Sequence, residues 1–130
     1  MTERTASASP YEAAYGFSRA IRSGNRILVS GTAPVEPNGS STPGDAAAQA
    51  RRCFAIILAA IEELGGSAAD VVRTRMFITD PVDADAIGAV HGEIFRDTRP
   101  ASTMVVAAAL LRPEWRIEIE AEALVADDQA

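Results

Sequence analysis

Residues 45–79, DAAAQARRCFAIILAAIEELGGSAADVVRTRMFIT, change hydrophobic period once, and that change decides the fold. In the first part Ala50, Phe54, Ile57, Ile61 and Leu64 recur at steps of three and four, which puts one apolar stripe on a helix. Asp45 supplies a cap, and Gly65-Gly66 stops the helix. From Val71 the period falls to two. Val72, Thr74, Met76 and Ile78 then share one face of a strand, with Val71, Arg73, Arg75 and Phe77 on the other.

Downstream, Asp80-Pro81 with Asp83 reads as a cap, a proline at the first helical position and an acid in the first turn. Ile87, Val90, His91, Ile94 and Phe95 line this second helix. Residues 102–111 are almost wholly apolar and predict a central strand, followed by a turn at Leu111-Arg112-Pro113-Glu114. Residues 115–125 alternate strictly, with Ile117, Ile119, Ala121, Ala123 and Val125 set against Arg116, Glu118, Glu120 and Glu122. Upstream, residues 31–44 are a loop rich in Pro, Gly, Ser and Asn. Residues 17–22 and 26–30 are two strands, and Gly24-Asn25 between them is a hairpin signal. Residues 1–12 predict a tail or at most an edge strand.

The order β-β-β-α-β-α-β-β is that of an α+β domain: a mixed sheet of about six strands with two helices on one face. The 102–111 strand is apolar on both faces, so the face without helices needs a partner, and self-association supplies one.

Composition narrows the function. The 130 residues suit one domain, 1–130, and no internal boundary is expected. No apolar run approaches the ~20 residues of a membrane span, and residues 1–10 lack a targeting pattern, so no membrane partner and a cytoplasmic location are expected. Cys53 is the only cysteine, which rules out an internal disulfide and a cysteine metal cluster. All twelve basic residues are arginine, so lysine-dependent chemistry is absent. With a net charge of −6, scattered arginines and 5% aromatics, no nucleic-acid partner is expected. His91, the only histidine, has no companion ligand, so neither a metal nor another cofactor is called for; it reads as a packed or partly exposed side chain. Cys53, beside Phe54, reads as a packing residue.

Several short pieces recur together in a known order: Gly16-Phe17-Ser18, Val29-Ser30-Gly31, Gln49-Ala50, Leu64-Gly65, Asp70-Val71-Val72, Asp80, Phe95, Pro100-Ala101 and Ile117-Glu118-Ile119-Glu120-Ala121. In that set the chain resembles the Rid family, the YjgF-type reactive intermediate deaminases, also labelled endoribonuclease L-PSP. The resemblance implies a chorismate-mutase-like fold, a homotrimer and a ligand cleft at each subunit interface. There an arginine grips the carboxylate of an imine or enamine, water attacks the imine carbon, and ammonia leaves. A planar guanidinium suits that grip through two parallel charge-assisted hydrogen bonds.

This chain departs from the pattern at the arginine itself, because the usual Pro-Ala-Arg stands as Pro100-Ala101-Ser102. Losing charged hydrogen bonds to a carboxylate costs roughly 1.5–3 kcal/mol, about ten- to a hundredfold in binding. Phe17 replaces the usual tyrosine, Thr32 a glutamine and Gly88 an asparagine.

Glu118 matches the family's cleft glutamate, although by spacing alone it is one of three strand charges with Glu120 and Glu122. The resemblance makes Phe17, Ser30, Gly31, Gly88, Ser102 and Met104 the expected substrate-binding residues. Ser102 and Met104 share one face of their strand, and a core role explains Met104 equally well. Arg19, Arg73, Arg75 and Arg99 are the candidate substitute guanidiniums; Arg19 is expected on the same strand face as Phe17. The function implied is a deaminase or related hydrolase acting on C=N bonds of a small molecule with a non-standard substrate. The alternative is a non-catalytic trimer that binds a metabolite, and the ribonuclease activity claimed for some relatives fits poorly with the negative charge.

Overall fold

The computed structural model describes residues 2–7 and 9–126. Its strands are β1 (Thr2–Thr5), β2 (Ala20–Ser23), β3 (Arg26–Thr32), β4 (Val71–Ile78), β5 (Ala101–Val106) and β6 (Ile117–Leu124). Its helices are α1 (Pro10–Tyr15), α2 (Ala46–Glu63) and α3 (Ala84–Phe95). The six strands form one mixed sheet in the order β1-β2-β3-β6-β4-β5, antiparallel except for β4 with β5. The expected α+β architecture, with two main helices on a six-stranded sheet, is what the chain adopts.

The two sequence periods account for the core. The apolar stripe of α2 is buried at Ala50, Phe54, Ile57, Ile61 and Leu64, against Ile27 and Val29 of β3 and Ile117 and Ile119 of β6. Each fully buried Ile or Phe of this kind stabilises the fold by about 1.5–3 kcal/mol relative to an exposed one. Asp45 caps α2 by accepting from Ala48 N at 2.9 Å. At the other end Gly65 takes φ 92°, and Arg22 donates to Leu64 O at 2.8 Å, so the helix exit is tied to β2. Gln49, 3% exposed, ties α2 to the entry of β6: its amide donates to Glu114 O at 3.0 Å, and its oxygen accepts from Arg116 N at 2.8 Å.

Four expectations need correction. First, β2 starts at Ala20, so Phe17 and Arg19 precede it and do not share a strand face; Arg19 N already donates to Thr5 O as the chain enters the sheet. Second, the expected tail or edge strand over 1–12, of which residues 1 and 8 lie outside the described residues, holds β1 and also the start of α1, whose N-cap Ser9, Pro10 at the first position and left-handed Gly16 after the end were a legible helix signal. Third, a register shift between Val71 and Arg73 against β6 turns Val71 into the core and leaves Val72 at 40% exposure. Fourth, the strand from Ala101 lies at the sheet edge, not its centre, and ends at Val106. Its apolar residues are therefore uncovered in the single chain, with Val105 at 44% and Val106 at 54% exposure.

Candidate active site

The cleft forms where β3 leaves the sheet. Between Val29 and Thr32 the β3–β6 register shifts, which turns Thr32 inward, wholly buried, and opens a bulge at Ser30-Gly31. Glu118, second in β6, lies against that bulge. A Cβ on Gly31 would collide with the Glu118 carboxylate, so only glycine admits it there.

Arg19 closes the floor. Its guanidinium donates to Ser30 O at 2.7 Å and to Gly31 O at 2.5 Å, so it clamps both bulge carbonyls, while its Nε is buried without a partner among the described residues. Burial lowers the Arg19 pKa, opposed by the charges of Glu12 and Glu118. Burial likewise raises the Glu118 pKa above its ordinary value; Arg19 opposes this shift, and Glu120 adds to it. The result is a carboxyl group whose protonated and ionised forms are brought closer in energy, beside a fixed positive charge.

The walls come from segments whose role the sequence left open. Helix α1 stands over the cleft with Tyr11 and Tyr15 stacked at 5.3 Å, and is anchored by buried Glu12, which accepts from Ser7 N and Oγ. Phe17 follows at its foot, 40% exposed. Opposite stand Trp115, with the Arg112 guanidinium 5.5 Å from its ring, and Arg52, which donates to Val35 O at 2.8 Å. The enclosed volume is about 360 Å³ and mostly apolar-lined, large enough for a small metabolite.

Of the expected site residues, the cleft therefore brings together Glu118, Gly31, Phe17 and Arg19. Ser30 stands at the bulge, but its hydroxyl donates to Ser18 O at 2.7 Å and is used structurally. Arg75 lies on the open sheet face in a charge ladder with Glu120 at 3.2 Å and Glu122 at 3.5 Å, and Arg73 shares that face. Arg99 lies elsewhere, lining a shallow pocket beside α3 with His91 and Arg96; its φ of 50° closes the end of α3 through a bond from its N–H to Phe95 O.

Ser102, Met104 and Gly88 also stand apart. Thr74, Met76 and Ile78 of β4 face the helices, and their register partners on β5 are Ser102, Met104 and Val106. Glu118 instead pairs with Phe77, between buried Ile117 and Ile119, and leaves the sheet on the other face. Within one chain Ser102 and Met104 lie on the opposite sheet face from Glu118, whereas the expected pocket, walled by two protomers, had Ser102 and Glu118 on the same side of the sheet. Strand parity is the reason, and it was readable on each strand separately but not between them, because register is a tertiary property. Met104 packs half-buried against the core, and Gly88 is on the exposed side of α3. Arg52, Arg112 and the tyrosines of α1 were missed, since no local motif marks side chains that meet only through the fold.

Among the described residues no group of three or more His, Cys, Asp or Glu side chains is placed to hold a metal, and no helix is long and apolar enough to cross a membrane. Cys53 is buried in α2, and burial pushes its thiol pKa up, which makes it an inert packing group.

Residues 7–125 match the family model described as Endoribonuclease L-PSP. A Mycobacterium tuberculosis protein described as a member of the YjgF/YER057c/UK114 family superposes with a TM-score of 0.87 at 39% identity, over 96% of this chain and 100% of that one. An uncharacterised Streptomyces coelicolor protein is 33% identical over 92% of this chain and 90% of its own length. The Escherichia coli 2-iminobutanoate/2-iminopropanoate deaminase is 36% identical over 78% of this chain and 80% of its own.

Proposed function

Because the chain belongs to the Rid family of YjgF-type proteins, we propose that it hydrolyses the C=N bond of a small reactive imine, with Glu118 handling water and protons. The observation that carries this reading is the Glu118 carboxyl seated on the Gly31 bulge, desolvated and beside Arg19 in a cleft of metabolite size.

The chemistry balances without a cofactor. The ionised Glu118 carboxylate takes a proton from water as the water oxygen bonds to the imine carbon, and passes that proton to the imine nitrogen. The tetrahedral carbinolamine then loses ammonia and leaves a carbonyl compound. A carboxyl with a raised pKa suits both halves, since it takes a proton in one step and returns it in the next. Arg19 stabilises the ionised form electrostatically, with its Nη2 committed to the two bulge carbonyls.

We assign the open sheet face and the β5 edge to contacts in a homotrimer. A heterologous contact can bring the β5 edge of one protomer, with Ser102 and Met104, to the Glu118 cleft of the next. The lack of a guanidinium at position 102 argues for a substrate less acidic than the 2-imino acids named for the Escherichia coli relative.

The test is hydrolysis of a panel of freshly generated imines by the wild-type protein and by Glu118→Gln. Turnover above the buffer rate that falls by about a hundredfold or more in Glu118→Gln is the expected result, in the range for loss of a general acid–base group. Both proteins at the buffer rate defeat the hydrolase. A ligand-dependent rise in melting temperature without turnover would then favour a metabolite-binding trimer.

A further inference from the structure

Thr74 is wholly buried on the helix side of β4, and its hydroxyl lies between two partners, His91 Nε2 at 2.8 Å and Ser102 Oγ at 2.8 Å. A hydroxyl carries one proton, so it donates to one of these and accepts from the other. The chain of bonds therefore has two self-consistent senses. When His91 Nε2 bears hydrogen, it donates to Thr74, Thr74 donates to Ser102, and the Ser102 proton points outward. When Nε2 is bare, Thr74 donates to it, Ser102 donates to Thr74, and only Ser102 lone pairs point outward.

Both ends of this chain are accessible. Ser102 is exposed on the edge strand β5, and the His91 ring lines the open pocket that it shares with Arg96 and Arg99. The ring is held by edge contact with Phe54 at 5.7 Å and by Phe95 at 4.8 Å, so it does not turn freely. Burial lowers its pKa, which keeps the neutral ring, and with it both senses, available.

We propose that Ser102, Thr74 and His91 form a hydroxyl relay that presents a donor-or-acceptor group at position 102, suited to a neutral amide or hydroxyl of the ligand in place of a carboxylate. An amide gives and takes hydrogen bonds and is met in either sense; a carboxylate only takes them and finds a full charge unanswered. Thr74 and His91 are positioning residues in this scheme, acting on the ligand only through Ser102. The inference rests on the proposed function for the choice of probe and for the trimer contact that brings Ser102 to a cleft.

His91 is the only histidine, so its ring nitrogens are read without ambiguity by ¹⁵N magnetic resonance. The probes are 2-oxobutanamide and 2-oxobutanoate, titrated into the wild-type protein and into Ser102→Ala, Thr74→Val and Thr74→Ser. Expected are a shift of the His91 ring nitrogens on adding the amide, and roughly three- to tenfold tighter binding of the amide than of the acid. Thr74→Val should keep its fold by circular dichroism and lose the His91 response, and Thr74→Ser should restore it. Ser102→Ala should bind the amide about three- to tenfold more weakly, with His91 silent. The relay is overturned if wild-type His91 does not move at saturating amide, if Thr74→Val responds as the wild type does, if the acid binds more tightly, or if neither probe binds. A silent His91 alongside Glu118-dependent imine turnover sinks the relay alone; a responding His91 without turnover sinks the hydrolase alone.

Discussion

Gly31 and Glu118 occupy the same few ångströms, and each limits what the other position tolerates. Gly31→Ala would place a methyl group on the Glu118 carboxylate, the mobile end of a side chain, so the carboxylate moves and the backbone stays. The expected outcome is a stability change within about 1 kcal/mol together with a loss of turnover near a hundredfold, the usual penalty for a catalytic group displaced by an ångström. Thermal melts and imine kinetics on the same preparation check both halves. Glu118 also carries a stability cost. Its folded pKa lies above its unfolded value, so the folded state binds the proton more tightly, and stability falls as pH rises from the unfolded pKa through the folded one. Glu118→Gln is therefore expected to melt higher than the wild type at neutral pH, with the gap narrowing as pH falls through the raised folded pKa towards the ordinary carboxylate value and levelling off below it. A gap that is constant across pH would deny the desolvation that the proposed chemistry needs. By spacing Glu118 is one of three alternating acids; the family resemblance singled it out, and in the fold the bulge at Gly31 sets it apart from Glu120 and Glu122.

Among the elements, α2 is the one most fully written in the chain. Its stripe, its Asp45 cap and its Gly65 exit all lie within a single window of sequence. Gln49, by contrast, looked like an ordinary helix residue and turns out to be the buried clasp between α2 and the entry of β6. Gln49→Leu removes that clasp and leaves Arg116 N and Glu114 O without it, which is expected to destabilise the fold by about 1–3 kcal/mol. Urea unfolding measures this, and an unchanged midpoint would mean that water replaces the amide. Helix α1 illustrates a different gap. Its caps were legible, but a six-residue helix has almost no period of its own, and its place over the cleft depends on the buried Glu12–Ser7 contact.

At the scale of the molecule, the outer edge of β5 is apolar and pairs with no strand among the described residues, the kind of edge that soluble proteins cover. A charge placed there should oppose association while leaving the protomer core untouched, because Val105 is 44% exposed in the single chain. Val105→Asp is expected to shift the protein from trimer towards monomer in light scattering at matched concentration, and to reduce turnover along with it. A monomeric wild type would remove the two-protomer cleft and leave only the half-site built from Glu118, Gly31, Phe17 and Arg19.

The chain by itself determined its periods: which stretches are helix, which are strand, and which side of each is apolar, because those patterns depend on neighbours within a few residues. Resemblance in ordered short pieces carried the family. What only the tertiary structure decided is how those faces are combined. The bulges at Ser30-Gly31 and after Val71, the edge position of β5, and the register that puts Ser102 with Thr74 but Glu118 with Phe77 all arise from pairing between strands far apart in sequence. Strand register follows from the packing of the whole sheet against its helices, and a one-residue shift sends a side chain to the opposite face, so no single segment holds the information.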